Sequence, residues 1–186
     1  MDRKELILNI ALDLFTQWGY FNTTVHDIQR ASNVSIGSIY HHFKNKEGIA
    51  KALFDRLVAQ MDTAIEGILR THESTYRRSL AIITYLFELA KETPQSMQYI
   101  LYARHREFMP DEKPICSSRP FEKIKAMVRE GIEKGEIRPM DPTVASACLF
   151  GGAIRLIHLH LDRVLEKELP AYLEEVFESA WRSVAT

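Results

Sequence analysis

The chain has 186 residues, 46% of them hydrophobic and 26% charged, and a formal net charge of -1. A globular chain of this length, as one domain or as two small helical units sharing a core, buries roughly 70% of the surface its unfolded form exposes, which excludes disorder as the main state. Two cysteines, Cys116 and Cys148, exclude a disulfide scaffold and an all-cysteine zinc site, and the near-zero charge leaves any case for nucleic acid to local charge placement.

From Ile7 to Trp18 the apolar residues Ile7, Ile10, Ala11, Leu14, Phe15 and Trp18 keep the 3-4 spacing of one helical face, and Gly19 supplies a left-handed cap. Thr24, with Asp27 three residues on, predicts a capping arrangement for a short helix whose Val25, Ile28 and Ala31 face inward. Asn33 suits a tight left-handed turn, and Ser35 caps a second short helix with the apolar stripe Ile36, Ile39, Tyr40 and Phe43. Asn45 caps a long helix in which Ile49, Leu53, Leu57 and Met61 recur every four residues. Helical periods follow over 74–92, 95–108, 121–134, 142–165 and 170–184, and all seven prolines fall at or between these segments. The expectation is an all-α protein of about nine helices with no strand. The stretch from Val144 to Leu161 is apolar, but Ser146, Arg155, His158 and His160 interrupt it, so it reads as a buried soluble helix rather than a membrane span. Asp2, Glu5 and Asp13 break any secretory pattern, and a cytoplasmic location is expected.

The pair of short helices between Thr24 and Phe43 has helix-turn-helix geometry. On the second, Ser38, His41 and His42 are donors to phosphate or base edges, and Gly37 permits close backbone approach to a duplex. Arg30, Lys44 and Lys46 form the local excess of positive charge that a recognition helix in a major groove needs on its flanks. Two amphipathic helices and a turn also occur in many proteins that bind no DNA, so periodicity alone leaves the point open.

The stretch Val34-Ser-Ile-Gly-Ser-Ile-Tyr-His-His-Phe-Lys-Asn-Lys-Glu47, preceded by Trp18-Gly-Tyr-Phe-Asn-Thr-Thr-Val-His-Asp-Ile28, resembles the signature of tetracycline-repressor (TetR) family transcriptional regulators. The resemblance covers about residues 3 to 55, with a weaker echo from Gly131 to Pro139. Gln29 stands where the family usually has Ala, and Asn33 where it usually has Gly. The resemblance implies a homodimer with a DNA-binding domain over residues 1–47 and an effector-binding and dimerisation domain over 48–186, connected by the helix over 48–70. It implies operator contacts at Thr24, Ser35, Gly37, Ser38, Tyr40, His41, His42 and Lys46, with Tyr40 and Lys46 on phosphate. The expected partners are pseudo-palindromic double-stranded operator DNA, a second copy of the chain and a small-molecule effector, with no membrane and no cofactor.

For the effector, the nearly all-apolar helix from Leu80 to Ala90 is expected to be central. Phe87, Tyr99, Tyr102, Arg104, His105 and Met127 are the candidate lining, Arg104 and His105 being its polar anchors. The last helices carry more apolar surface than one packed face needs, which makes Phe150, Gly151, Ile154, Leu161, Phe177 and Trp181 candidates for a dimer interface. His158 and His160 point about 200° apart on a helix, so no metal site is expected there, and because no pair of titratable groups has recognisable catalytic spacing, no enzyme is expected. The function expected is a ligand-responsive regulator, most simply a repressor released from its operator by a small hydrophobic effector. The alternative is a helical metabolite-binding or interaction protein without operator-specific DNA binding.

Overall fold

The computed structural model describes residues 2–103, 105–110 and 115–186, and the chain divides into two compact units: Met1–Ala59 with Gln95–Ile115, and Gln60–Pro94 with Cys116–Thr186. Among the described residues there are nine α-helices of eight or more residues, one helical turn (α7) and two 3-10 segments, with a lone bridge, Ile137 to Ala185, in place of any strand. The expected segment 95–108 is two elements, α6 (Pro94–Tyr102) and α7 (His105–Phe108). The long helix α4 (Lys46–Thr71) contributes to both units, so the division falls within it at Ala59 and not at residue 47, and α6 and α7 group with the N-terminal part.

In the first unit, α1 (Arg3–Trp18), α2 (Val25–Ser32) and α3 (Ile36–Phe43) pack on one another. Ile7, Leu8, Ala11, Leu14 and Phe15 of α1 meet Ile28, Ile39 and Phe43 in a core closed by Ile49, Leu53 and Phe54 of α4. The period identified most of α1's inner face, but Trp18, the last residue of α1, is half exposed, and Ala31 of α2 lies on the surface, with Ser32 beside it buried instead. Local chemistry sets the breaks. Asp2 caps α1, Thr24 and Asp27 form a reciprocal capping box on α2, and Ser35 accepts from the Ser38 amide to start α3. Asn33 takes the left-handed conformation (φ 54, ψ 28) as its side chain allows, whereas Gly19 has positive φ (83) but extended ψ (156), outside the left-handed helical well.

In the second unit, α9 (Pro142–Leu161) packs against α5 (Thr75–Glu92), α8 (Arg119–Glu133) and α10 (Leu173–Val184). By length and composition α9 is apolar enough to cross a membrane; here Ala145, Leu149, Phe150, Ala153 and Ile157 are buried in the unit's core. Ion pairs tie helices across the surface. Lys123 joins Asp62 at 2.8 Å and also reaches Glu66, while Arg78 meets Glu130 at 2.9 Å.

Candidate nucleic-acid interface

The turn between α2 and α3 is short because Asn33 reverses the chain at once and Ser35 recaps it, so only three residues separate the end of α2 from the start of α3. Its inner face, Ile39 and Phe43, is anchored in the core, and Ile36 is half-buried. Gly37, Tyr40, His41 and His42 are exposed, Ser38 is half-exposed, and no heavy atom lies within 4 Å of the space a Gly37 side chain would take. Tyr40 is 46% exposed, so it leaves the apolar stripe to which periodicity assigned it and stands with the polar residues on the outer face. Thr24 and Ser35 are exposed at the two helix N-termini, each with its hydroxyl committed to capping.

The cations divide by role. Arg30 pairs with Asp27, and Lys44 is exposed with positive φ (60). Lys46 is turned inward: its ammonium donates to the carbonyl oxygens of Tyr20 and Thr23, both at 2.9 Å, and lies 4.2 Å from the Tyr20 ring centroid. Partial burial pulls its pKa below the usual lysine value. The sequence reading places Lys46 on phosphate; here two of its three donors hold the α1–α2 turn, which leaves one for such a contact. Asp27 is held below the usual carboxylate range by the hydroxyl and backbone amide of Thr24, with Arg30 adding to the effect.

Two further residues that the sequence reading gave no role shape this surface. Thr23 is fully buried, with its hydroxyl donating to the Gly19 carbonyl at 2.9 Å. Gly48 sits where a Cβ would fall 2.0 Å from the Phe43 carbonyl oxygen, so only glycine lets α4 start so close to the end of α3. A glycine in the first turn of a helix, where it costs helix propensity, is the sequence signal that was available.

The effector candidates do not form one set. Phe87 and Met127 are buried in the second unit, whereas Tyr99 is buried in the first, its hydroxyl donating to the Ala50 carbonyl at 3.1 Å. Tyr102 and His105 also belong to the first unit, and Arg104 lies outside the described residues. Burial pushes the Tyr99 phenol well above its usual pKa. The second unit has a groove of about 620 Å³ along α4 and α5, lined by Ala64, Ile68, Leu80, Ala81 and Tyr85, with Arg77 and Glu88 also on its walls.

Of the dimer candidates, Phe177 (1% exposed) and Phe150 (6%) lie inside the second unit's own core, which corrects their assignment to a surface. Phe177 packs edge-on to Tyr76 at 4.9 Å and beside Trp181 at 6.4 Å. Gly151 is exposed in open space, while Ile154, Leu161 and Trp181 are half-buried. Gly152 admits Val176 of α10, whose Cγ2 would lie 3.1 Å from an added Cβ, so the close helix approach at this glycine is within the chain. The Nδ1 of His158 lies 2.9 Å from the Ile154 carbonyl oxygen of its own helix.

A family model described as bacterial regulatory proteins, tetR family, matches residues 7–53. The uncharacterized HTH-type transcriptional regulator YhgD of Bacillus subtilis is 33% identical over 84% of this chain and 83% of its own length. YvkB, another HTH-type regulator of that organism, is 34% identical over 90% of this chain and 89% of its own. Among solved structures, the regulator FadR from Bacillus subtilis in complex with stearoyl-CoA superposes with a TM-score of 0.77 at 21% identity, over 95% of this chain and 96% of that one.

Proposed function

This chain belongs to the tetR family of bacterial regulatory proteins, which are HTH-type transcriptional regulators, and from that premise we propose that it acts in the cytoplasm, as a homodimer, on a pseudo-palindromic operator. The observation that carries the reading is the outer face of α3. A capped helix, anchored from behind by Ile39 and Phe43, presents Gly37, Ser38, Tyr40, His41 and His42 outward with Lys44 beside them. Polar donors on a helix of this kind reach base edges in a major groove, and two copies related by a two-fold axis read half-sites one or more turns apart.

An effector of small, largely hydrophobic character suits the second unit's groove, where apolar side chains of α4 and α5 are accompanied by the exposed guanidinium of Arg77. Such a ligand would release operator by favouring a spacing of the recognition helices that the DNA does not accept, with α4 the covalent link from α3 to that groove. The chain would then act as a repressor rather than as an enzyme. Reciprocity fixes the arithmetic: a ligand that weakens operator binding tenfold is itself bound tenfold more weakly by the DNA complex, a coupling of about 1.4 kcal/mol.

The test is an electrophoretic shift with the DNA upstream of the protein's own gene, followed by His41→Ala and Ser38→Ala. Each should cost about 1–3 kcal/mol and relax preference at one base position. Retention on all sequences alike, in wild type and variants, would instead favour a helical metabolite-binding protein without operator specificity.

A further inference from the structure

The groove of about 620 Å³ in the second unit is within the range of small-molecule sites, roughly 300–1,000 Å³. Arg77, Leu80, Ala81, Thr84, Tyr85 and Glu88 recur at three- and four-residue spacing, so they form one face of α5. Ala64 and Ile68 of α4, with His72 just beyond its end, complete the lining.

Among the described residues lining the groove, the formal charges at neutral pH are Arg77 and Glu88. They are separated by three turns of α5, about 16 Å at 1.5 Å per residue. Between them the wall is uncharged. The Thr84 hydroxyl donates to the Leu80 carbonyl of its own helix at 2.9 Å, and burial pushes the Tyr85 phenol above its usual pKa, which keeps it neutral. Ile68, Leu80 and Tyr85 are half-buried, so they retain apolar surface that a ligand would remove from water.

The two charges do not serve the helix that carries them. Arg77 stands in the first turn of α5, where the helix dipole disfavours a cation, and Glu88 stands one turn before the end, where an anion gains nothing from it. Both side chains are exposed, and among the described residues neither is in an ion pair. Arg78, beside Arg77, is by contrast paired with Glu130.

Opposite charges at the two ends of an apolar wall discriminate among linear ligands. A long-chain carboxylate that met Arg77 would press its apolar end on the Glu88 carboxylate, stripping water from a charge without replacing it. A long-chain ammonium that met Glu88 would do the same to Arg77. A molecule with both charges, on an apolar body of matching length, has a partner at each end.

We propose that the groove binds a linear zwitterion, an apolar body with a carboxylate at one end for Arg77 and an ammonium at the other for Glu88. The proposal rests on the reading of this groove as the effector site and names the chemistry that the site takes. An aliphatic ω-amino acid has that chemistry, and so does a short apolar peptide with free termini, about five extended residues at 3.3 Å each covering the same length.

Calorimetric titration of the full chain compares 12-aminododecanoate with dodecanoate and dodecylammonium, which share its carbon chain and lack one charge each. The zwitterion should bind tightest, by about two- to fivefold over either, the size of one exposed ion pair. Arg77→Glu and Glu88→Arg should each weaken it by about fivefold, and the double variant Arg77→Glu/Glu88→Arg should restore it to within about twofold of wild type, bound in the reverse direction. A purely structural role for these side chains would produce no such rescue. Dodecanoate binding as tightly as the zwitterion overturns the proposal, as does a double variant no better than the single ones. Tighter binding of the free-ended pentapeptide Ala-Val-Leu-Val-Ala than of 12-aminododecanoate would identify a peptide as the ligand, and weaker binding an aliphatic amino acid. Operator titrations with the same probes keep this proposal apart from the effector reading. A zwitterion that binds through both charges but leaves operator affinity unchanged removes the effector role and keeps the ligand class, whereas probes that release operator whatever their charges do the reverse.

Discussion

The two units are specified in different ways. In the first, short helices are fixed from their ends: Asp2, Thr24 with Asp27, Ser35 and Asn45 each satisfy orphan amides at a helix start, and Lys46 satisfies carbonyls of the α1–α2 turn. In the second, Ser74 and Asp141 cap α5 and α9 in the same way, but the helices are also tied to one another over long sequence distances, through core side chains such as Phe87, Met127, Phe150 and Phe177 and through pairs such as Tyr76 with Glu178 at 2.6 Å and Arg78 with Glu130. A cap is a relation between residues two or three apart, whereas a helix face is chosen by partners up to a hundred positions away. Substitutions should therefore act locally in the first unit and through packing in the second.

The largest effect is expected at Phe177. Its side chain is 1% exposed within a single subunit, so Phe177→Ala should lower stability by about 3–5 kcal/mol, read as a fall in Tm of roughly 10 °C or more, whatever the oligomeric state. Gly151→Arg, in open space on the exposed face of α9, should leave the helical signal in circular dichroism intact and shift sedimentation from dimer to monomer if that face is where two copies meet. A Phe177→Ala protein of wild-type Tm would break the assignment of that side chain to the core.

Two glycines of the same helix sharpen the contrast. Gly48→Ala places a Cβ 2.0 Å from the Phe43 carbonyl oxygen, a backbone atom that cannot rotate away, and should destabilise by about 3 kcal/mol with loss of DNA binding. Gly67→Ala, with nothing within 4 Å, should gain about 1 kcal/mol from helix propensity. Thermal melts of the pair decide it, and shifts of the same sign would contradict the packing described around Gly48.

This difference also explains what the sequence made legible. The caps at Thr24, Ser35 and Asn45, the turn at Asn33 and the outward set on α3 are all local relations, and the all-helical class follows from period and proline placement. The fate of Lys46 was not legible, because its partners at Tyr20 and Thr23 are 26 and 23 residues away. The same limit misplaced Phe150 and Phe177. An apolar stripe on an amphipathic helix shows that a face is covered but not whether the cover is its own chain or another. It also joined Tyr99 and Tyr102 with Phe87 and Met127, which belong to different units.

The cations near α3 test whether a structural and a DNA-facing role can be separated. Lys46→Ala leaves the Tyr20 and Thr23 carbonyls without their charged donor, and charge-assisted bonds contribute about 1.5–3 kcal/mol, so its first effect should be a lower Tm. Lys44→Ala should leave stability within about 0.5 kcal/mol, the usual range for surface changes, while lowering the salt dependence of operator binding by about one unit of slope. A Lys46→Ala protein with unchanged Tm and a reduced slope would return that lysine to phosphate contact.

The smallest effect, and the most specific to the capping box, is its pH dependence. The Thr24 hydroxyl and amide donate to Asp27 Oδ2 at 2.6 and 2.9 Å, and they hold the carboxyl below its ordinary value in the folded state. A folded-state pKa below the unfolded one, about 3.9, means that the stabilisation is complete above that value and disappears as pH falls through the folded value. Asp27→Asn should therefore lower Tm at pH 7, and the gap to wild type should narrow as pH falls from about 5 toward 2.5. Other carboxyls, including Glu66, Glu130 and Asp141, are also held low, so the wild-type curve alone sums several groups, and the difference between variant and wild type isolates this one. A gap that stays constant over the whole range would mean that the charge on Asp27 does not stabilise α2, leaving Thr24 alone to cap the helix that carries the turn into α3.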